Sequence, residues 1–549
     1  MKTLHLFLLS VLSGLLLAFA WFPNGLLPFI FIAFVPLLIL EHSLFLKPKS
    51  KKSLLFFALT YLTFFIWNVC TTWWVKNASY GGAAMAILAN SLLMTIVFML
   101  FHKVKKRIGN KWAPAIFICF WITFEFLHLD WDLTWPWLTL GNIFANTPNL
   151  IQWYEYTGVF GGSLLILLVN FSVFQLVNIS KINSIEVEGD FKIKFIYSQK
   201  IVGIIILLLI VPILISKLIL AFYTPTNPEQ KQTCKVVVVQ PNIDPYKEKF
   251  TSSYQGQLQK MIQLAIQKTD STTDYLILPE TALTEDIWEN EFAKSYSIQT
   301  LKSHLKNFSK LKIIIGAATG KIYKPNELKS ITARKFTQEN AFYDSYNTAL
   351  QIDSSNLIQT YHKSKLVPGV EMMPFPFIFK YIEKFAINLG GTSGSLGKQA
   401  ERTVFNSCDN LTKVAPVICY ESIYGEYVGT YVKNGAHFIS IITNDGWWGD
   451  TPGYKQHLKY ASLRAIENRR WVVRSANTGV SCFINPQGEI LQATSWWTPA
   501  VISQGIELKN ELTFYTKYGD YIARITMYIS LLLIIYSCLI RFKIIKNIN

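Results

Sequence analysis

The sequence predicts a layered α/β domain carried on a bundle of eight transmembrane helices. Two observations lead there. The 549 residues are 51% hydrophobic and only 16% charged, and the apolar residues gather in long runs up to about Tyr223 and again over 522–540. Between these runs, 224–521 alternates short β-branched stretches with helix-period segments, and nearly three hundred residues are ample for a core of their own.

A bilayer core of about 30 Å takes about 20 apolar residues as a helix. Stretches that meet this are 4–21, 25–40, 54–75, 82–101, 112–128, 161–179, 201–222 and 522–540. The first is preceded by Lys2 and ends in Ala18-Phe19-Ala20, which imitates a signal-peptide cleavage site; the next span follows so closely that a retained helix is expected. Sidedness comes from the basic residues in short loops. Lys47, Lys49, Lys51 and Lys52 separate spans two and three; Lys103, Lys105, Lys106, Arg107 and Lys111 separate four and five. Lys181, Lys192, Lys194 and Lys200 lie between six and seven, and Arg541, Lys543 and Lys546 follow the last. The loop 129–160 has no Lys or Arg. Both termini are therefore expected in the cytoplasm and 224–521 on the far side, the periplasm of a bacterium. The expected organisation is a seven-helix bundle over 1–223, an outer domain over 224–521, and a last helix with a cytoplasmic tail over 522–549.

This topology accounts for the net charge of +17 better than nucleic acid does, since no RNP, zinc-finger or helix-turn-helix signature occurs. Seven cysteines without paired spacing argue against a disulfide framework and a zinc site. In the loop 129–160, Trp131, Trp135, Trp137, Trp153 and Tyr154 read as interfacial anchors or as a platform that admits a lipid. The spans show little of the mid-membrane charge that a transporter would carry beyond Glu125.

In the outer domain, 235–240 is a buried strand running into the polar turn Pro241-Asn242-Ile243-Asp244-Pro245, and 254–269 has helical spacing. A strand at 275–278 ends at Pro279-Glu280; another occupies 312–316. Residues 346–353 and 357–362 form a hairpin that ends at Lys363. Next come Val417-Ile418 ending at Cys419, a strand at 438–443 entering Asn444-Asp445-Gly446-Trp447-Trp448-Gly449-Asp450, a helix over 455–469, and paired strands at 471–475 and 481–484. Glu280, Lys363 and Cys419 each follow a strand, and strand ends converge at one edge of a sheet. Taken singly, the three are an ordinary loop acid, a surface lysine and a small core cysteine. Together they supply a thiol nucleophile, a carboxylate for its proton and a cation for thiolate and oxyanion. His437 and His457 are nearest Cys419 in sequence, but neither sits at an obvious strand end, so a Cys–His pair is less attractive.

Ile277-Leu278-Pro279-Glu280, Tyr361-His362-Lys363-Ser364-Lys365-Leu366-Val367-Pro368 with Glu371 and Pro374, Ile418-Cys419-Tyr420-Glu421, and the Asn444–Asp450 motif resemble the nitrilase superfamily, and within it the bacterial apolipoprotein N-acyltransferases. The resemblance extends to Pro136-Trp137, Gly141-Asn142 and the final helix. It implies a nitrilase-like four-layer αββα sandwich and a catalytic triad of Glu280, Lys363 and Cys419. Support for substrate and oxyanion maps onto Glu371, Tyr420 and Glu421, and lid or lipid contacts onto Phe250 or Tyr246 and Trp447. Where the family usually reads Pro-Phe-Gly-Glu, this chain has Pro368-Gly369-Val370-Glu371, so the loop is expected to differ in conformation. The implied reaction is ping-pong, from a membrane phospholipid through a Cys419 thioester to the α-amino group of a diacylglyceryl-cysteine apolipoprotein. No cofactor, metal or nucleic acid is implied, and a monomer is expected. The rivals are a membrane-tethered nitrilase-type amidohydrolase and a non-catalytic lipid-binding or transport protein. Gly390-Gly391 with Ser393-Gly394-Ser395 reads as a loop, not a phosphate cradle.

Overall fold

The computed structural model describes residues 2–21, 25–46, 53–182, 191–223, 232–249, 251–308, 310–337, 340–375 and 394–542. Of the positions singled out in the sequence, Lys47, Lys49, Lys51, Lys52, Phe250, Gly390, Gly391, Ser393, Lys543 and Lys546 lie outside them. The chain divides into two compact units: one of 1–76, 83–222 and 520–549, the other of 77–82 and 223–519.

The first unit is helical: α1 (Thr3–Trp21), α2 (Val35–Phe45), α3 (Ser53–Thr72), α4 (Tyr80–Ile108), α5 (Ala113–Leu127), α6 (Tyr154–Ile182), α7 (Phe191–Phe222) and a C-terminal helix, Tyr521–Arg541. Seven stretches of the described residues are long and apolar enough to cross a membrane. The remaining expected span, 112–128, folds as α5, whose 15 residues reach about 22 Å at 1.5 Å per residue. That is short of a bilayer core, and α5 buries residues on every side, including Ile116, Phe117, Phe120, Trp121 and Ile122, as a helix inside a bundle does. α7 is the opposite case, with Ile206, Leu207, Ile210, Leu214 and Leu218 exposed, as on a helix whose apolar surface suits hydrocarbon.

Among the described residues, the buried acids of the bundle are hydrogen-bonded or paired. Glu125 accepts from Trp121 Nε1 at 3.0 Å, the Leu140 N–H at 2.8 Å and Ser163 Oγ at 2.6 Å, tying α5 to the following loop and to α6. A second cluster was hidden in the sequence because the expected spans stop at Leu40 and Phe101, whereas α2 and α4 run on. There Glu41 meets His102 Nδ1 at 2.6 Å and Lys105 Nζ at 2.5 Å. Such groups survive in hydrocarbon only when each is satisfied. Nor is Trp137 an interfacial anchor: it is fully buried, 4.8 Å from Trp74.

The second unit holds two sheets. The first runs β14 (Ala500–Glu507), β1 (Thr233–Gln240), β2 (Tyr275–Ile277), β4 (Lys312–Ile322), β6 (Phe342–Ile352), β5 (Arg334–Lys335), with β3 (Leu283–Trp288) on β4 and β7 (Gln359–His362) on β6. The other runs β13 (Ile490–Leu491), β12 (Cys482–Ile484), β11 (Val472–Ala476), β10 (Phe438–Thr443), β9 (Lys413–Ile418), β8 (Phe405–Asn406). Strand alternation divides the core: Val236, Val238 and Tyr275 face the other sheet, where Tyr275 meets Phe438 edge-on with ring centroids 5.4 Å apart. Val237 and Val239 face the other way, onto Leu258 and Met261 of α8 (Tyr254–Ala265) and Ile298 and Leu301 of α9 (Tyr296–Leu305). On the far side of the other sheet lie α10 (Gly425–Lys433) and α11 (Pro452–Asn468), which supply Val428, Val432, Ala461 and Ala465. The result is the expected αββα sandwich. β3 and β14 were not legible, since Glu285 and Asp286 interrupt one and Gly505 the other.

Candidate active site

Within each sheet the central strands are parallel, β1–β2–β4 in one and β9–β10–β11 in the other, so several chains leave the sandwich at the same edge. β2 continues through Leu278 and Pro279, whose carbonyl accepts from the Gly316 N–H at 3.0 Å, and turns at Glu280 and Thr281. A Cβ at residue 316 would stand 2.4 Å from the Thr281 nitrogen and 2.6 Å from the Glu280 Cα, so only glycine lets β4 lie this close to the turn. Lys363 extends β7, its N–H bonded to the Asn347 carbonyl at 2.8 Å. Cys419 follows β9 at φ 49°, a left-handed conformation that costs a cysteine about 1–3 kcal/mol and turns its thiol out of the strand.

Glu280, Lys363 and Glu371 meet in one buried cluster. Lys363 Nζ lies 3.1 Å from Glu280 Oε1 and 2.8 Å from Glu371 Oε1. Asn347 Nδ2 donates to both carboxylates, at 2.7 Å and 3.3 Å, and the Asn444 N–H holds Glu280 Oε2 at 3.0 Å. Glu371 therefore pairs with Lys363. The Pro368–Glu371 departure resolves into a tight turn: Gly369 takes φ 75°, and the Val367 N–H donates to Glu371 Oε2 at 2.8 Å.

Electrostatics assign the protons. Burial pushes the Cys419 thiol up and Glu280 adds to it, with Lys363 opposing, so the sulfur rests as a neutral thiol. Burial would also raise Glu280, but Lys363 and Asn347 outweigh it and hold the carboxyl below its ordinary value. Burial works against charge on Lys363 too, yet Glu280 and Glu371 keep its proton on well above the ordinary lysine value.

Two supports fix these groups. Glu421 is fully buried and accepts from the Ile418 N–H at 2.9 Å, the Ser364 N–H at 2.7 Å, Tyr361 OH at 2.7 Å and Tyr427 OH at 2.6 Å. It thus joins the cysteine turn to the residue after Lys363. Glu421→Gln replaces one acceptor oxygen by a donor among these donors. We expect a loss of about 2–3 kcal/mol, read as a lower melting temperature in detergent, with an unchanged melting curve as the opposing result. The other support was not anticipated. His457 Nε2 lies 3.1 Å from the Cys419 carbonyl, which also accepts from Ser422 Oγ at 2.8 Å. His457 Nδ1 is 3.0 Å from Asp445 Oδ1, and Arg474 Nη2 is 2.6 Å from Asp445 Oδ2. This histidine addresses the backbone that carries the thiol.

Tyr420 is buried against Tyr424, ring centroids 5.4 Å apart. Tyr246 and Trp447 form an edge-on pair at 5.3 Å, and Tyr246 OH donates to the Trp447 carbonyl at 2.7 Å. No group of three or more His, Cys, Asp or Glu among the described residues is arranged to hold a metal ion.

Two family matches partition the chain. Residues 235–511 match the carbon-nitrogen hydrolase family, and residues 13–172 match the apolipoprotein N-acyltransferase N-terminal domain. The sandwich is thus a carbon-nitrogen hydrolase domain of the nitrilase superfamily, joined to a bundle of apolar helices. Over 532 residues the chain is 30% identical to an apolipoprotein N-acyltransferase of Chlorobaculum tepidum, covering 95% of this chain and 94% of the relative. Another, of Geobacter metallireducens, is 26% identical over 529 residues, covering 94% and 92%. Among solved structures, Saccharomyces cerevisiae Nit3 of the nitrilase superfamily aligns with 17% identity and a TM-score of 0.35, over 50% of this chain and 90% of that one. The chain belongs to the apolipoprotein N-acyltransferase family.

Proposed function

We propose that this protein is an apolipoprotein N-acyltransferase of the bacterial inner membrane, working through a Glu280–Lys363–Cys419 triad on the periplasmic side. The observation that carries the reading is the meeting of three strand ends: a strained cysteine turn beside a buried carboxylate already paired to a buried lysine. Glu280 takes the thiol proton as Cys419 Sγ attacks an ester carbonyl of a phospholipid. Lys363 and the Tyr420 backbone N–H stabilise the oxyanion. Collapse breaks the ester C–O bond; Glu280 returns the proton to the departing glycerol oxygen, and a thioester and a lysophospholipid result. The α-amino group of an N-terminal diacylglyceryl-cysteine then attacks the thioester and Glu280 takes its proton. An amide bond forms, the C–S bond breaks, and the thiol is regenerated. Glu371 fixes Lys363, while Tyr246 and Trp447 border the approach of the lipid. The alternation of basic loops supports the sidedness.

Intact-protein mass spectrometry of the purified full-length protein, incubated with phospholipid, tests this. A fatty-acyl mass on Cys419 that a diacylglyceryl lipopeptide discharges as its N-acylated product is expected. An adduct discharged only to free fatty acid would instead mark an amidohydrolase-like enzyme, and no adduct would end the proposal.

A further inference from the structure

Lys249 is a buried cation that the reaction as written does not use. It ends the polar turn after β1 and is only 6% exposed. The turn is built tightly: Asp244 Oδ1 caps the Tyr246 N–H at 2.8 Å, and the Lys249 N–H reaches the Asp244 carbonyl at 2.9 Å. Gln257 Nε2 of α8 donates to the Lys249 carbonyl at 2.9 Å. Asn477 clamps the turn from the opposite sheet, accepting from the Ile243 N–H at 3.0 Å and donating to the Ile243 carbonyl at 2.7 Å. The lysine's ammonium donates to Thr281 Oγ1. Thr281 directly follows Glu280 and stands at φ 46°, and Lys249, Glu280, Thr281 and Asn477 line one small cavity.

Charge explains why a cation belongs there. Two carboxylates, Glu280 and Glu371, share the single ammonium of Lys363. Burying an uncompensated charge is costly, so such a cluster relaxes by taking up a proton unless another cation is near. We propose that Lys249 is a positioning residue for the acyl transfer, its buried ammonium being the second cation that balances Glu280 and Glu371 and keeps Glu280 free to accept the thiol proton.

The assignment rests on the triad proposed above. Charged or titratable groups about Glu280 are Lys363, Lys249, Glu371 and Cys419; about Lys249 they are Glu280, Asp244 and Glu248 of its own turn, and Lys260 of α8, which reaches the Asn242 carbonyl at 3.1 Å. Burial draws the Lys249 ammonium down to about 8, with Glu280 opposing, so it carries its charge at neutral pH. Removing it takes a cation from beside a carboxylate and must raise the pH at which that carboxylate ionises.

The experiment is the rate of acyl-enzyme formation on Cys419, followed from acid to alkaline pH with phospholipid in detergent micelles. Wild type is compared with Lys249→Met, Lys249→Arg and Cys419→Ala. In K249M the acid limb is expected to move up by about one pH unit, a deficit of about tenfold on the acid side that closes as pH rises. K249R should keep the wild-type limb. Should K249M fail to fold, Lys249→Gln, neutral but able to donate to Thr281, carries the same expectation. A neutral variant whose profile overlies the wild type, or whose loss is equal at every pH, overturns the role of Lys249 and leaves the triad standing. A wild-type protein that forms no adduct above the C419A background overturns the triad and this assignment together.

Discussion

Cys419→Ala abolishes acyl transfer while leaving the protein folded: a loss of at least about 10⁴-fold is expected, as when the nucleophile of a cooperating catalytic group is removed. Folding survives because the side chain is small and the support of its turn comes from elsewhere. Glu421 holds the Ile418 N–H, while Ser422 and His457 hold the carbonyl of residue 419 itself. Alanine at φ 49° meets the same backbone strain as cysteine. Cys419→Ser separates the sulfur from the geometry. A hydroxyl fits the place, but a carboxylate held below its ordinary value is a poor base for it, so the serine variant is also expected to form no acyl adduct. The readout is intact mass after incubation with phospholipid, together with transfer to a lipopeptide. An alanine variant that still carries the chain would place the nucleophile elsewhere.

What could be read from the sequence depended on how locally each feature is encoded. The strand ends that carry Glu280, Lys363 and Cys419 were legible because the end of a run of strand-forming residues is a local signal. The apolar spans were legible for the same reason, save that α5 has the hydropathy of a span and the length of a core helix. Glu421 in isolation is a first-turn acid favoured by a helix dipole. Its partners Tyr361 and Ser364 stand 60 and 57 positions away, so its bracing role needs the fold. His457 hides likewise: a helix period says which face is buried, not which strand end that face meets. Asp445, fully buried between His457 and Arg474, reads in the sequence as one more polar residue of a turn. The pairing of Glu41 with His102 and Lys105 escaped because hydropathy ends a span at its first charge, whereas the helix continues once that charge is neutralised.

Glu280→Gln is expected to lower acyl-enzyme formation about 10³- to 10⁴-fold at neutral pH and to move its rise with pH from the acid to the alkaline range. In the wild type the base is a carboxylate whose ionisation lies below its ordinary range. Activity is therefore present above that pH and falls away as acid protonates Glu280. Glutamine cannot accept the proton, so the variant depends on thiol that ionises unaided. Burial still raises the Cys419 thiol, so the residual rate should climb with pH through the alkaline range with no acid limb. A variant that kept the wild-type profile at reduced amplitude would mean that some other group takes the proton. Lys363→Met is a different injury and tells the two roles apart. It leaves Glu280 and Glu371 buried around an apolar side chain, and breaking such a pair costs about 3–5 kcal/mol. Its first sign should be a lower melting temperature, whereas E280Q leaves Lys363 paired with Glu371 and should lose less stability, only its amide meeting the donors that Glu280 accepts from. The base and the cation then separate by measurement: removing one changes how the rate follows pH, and removing the other changes whether the site holds together.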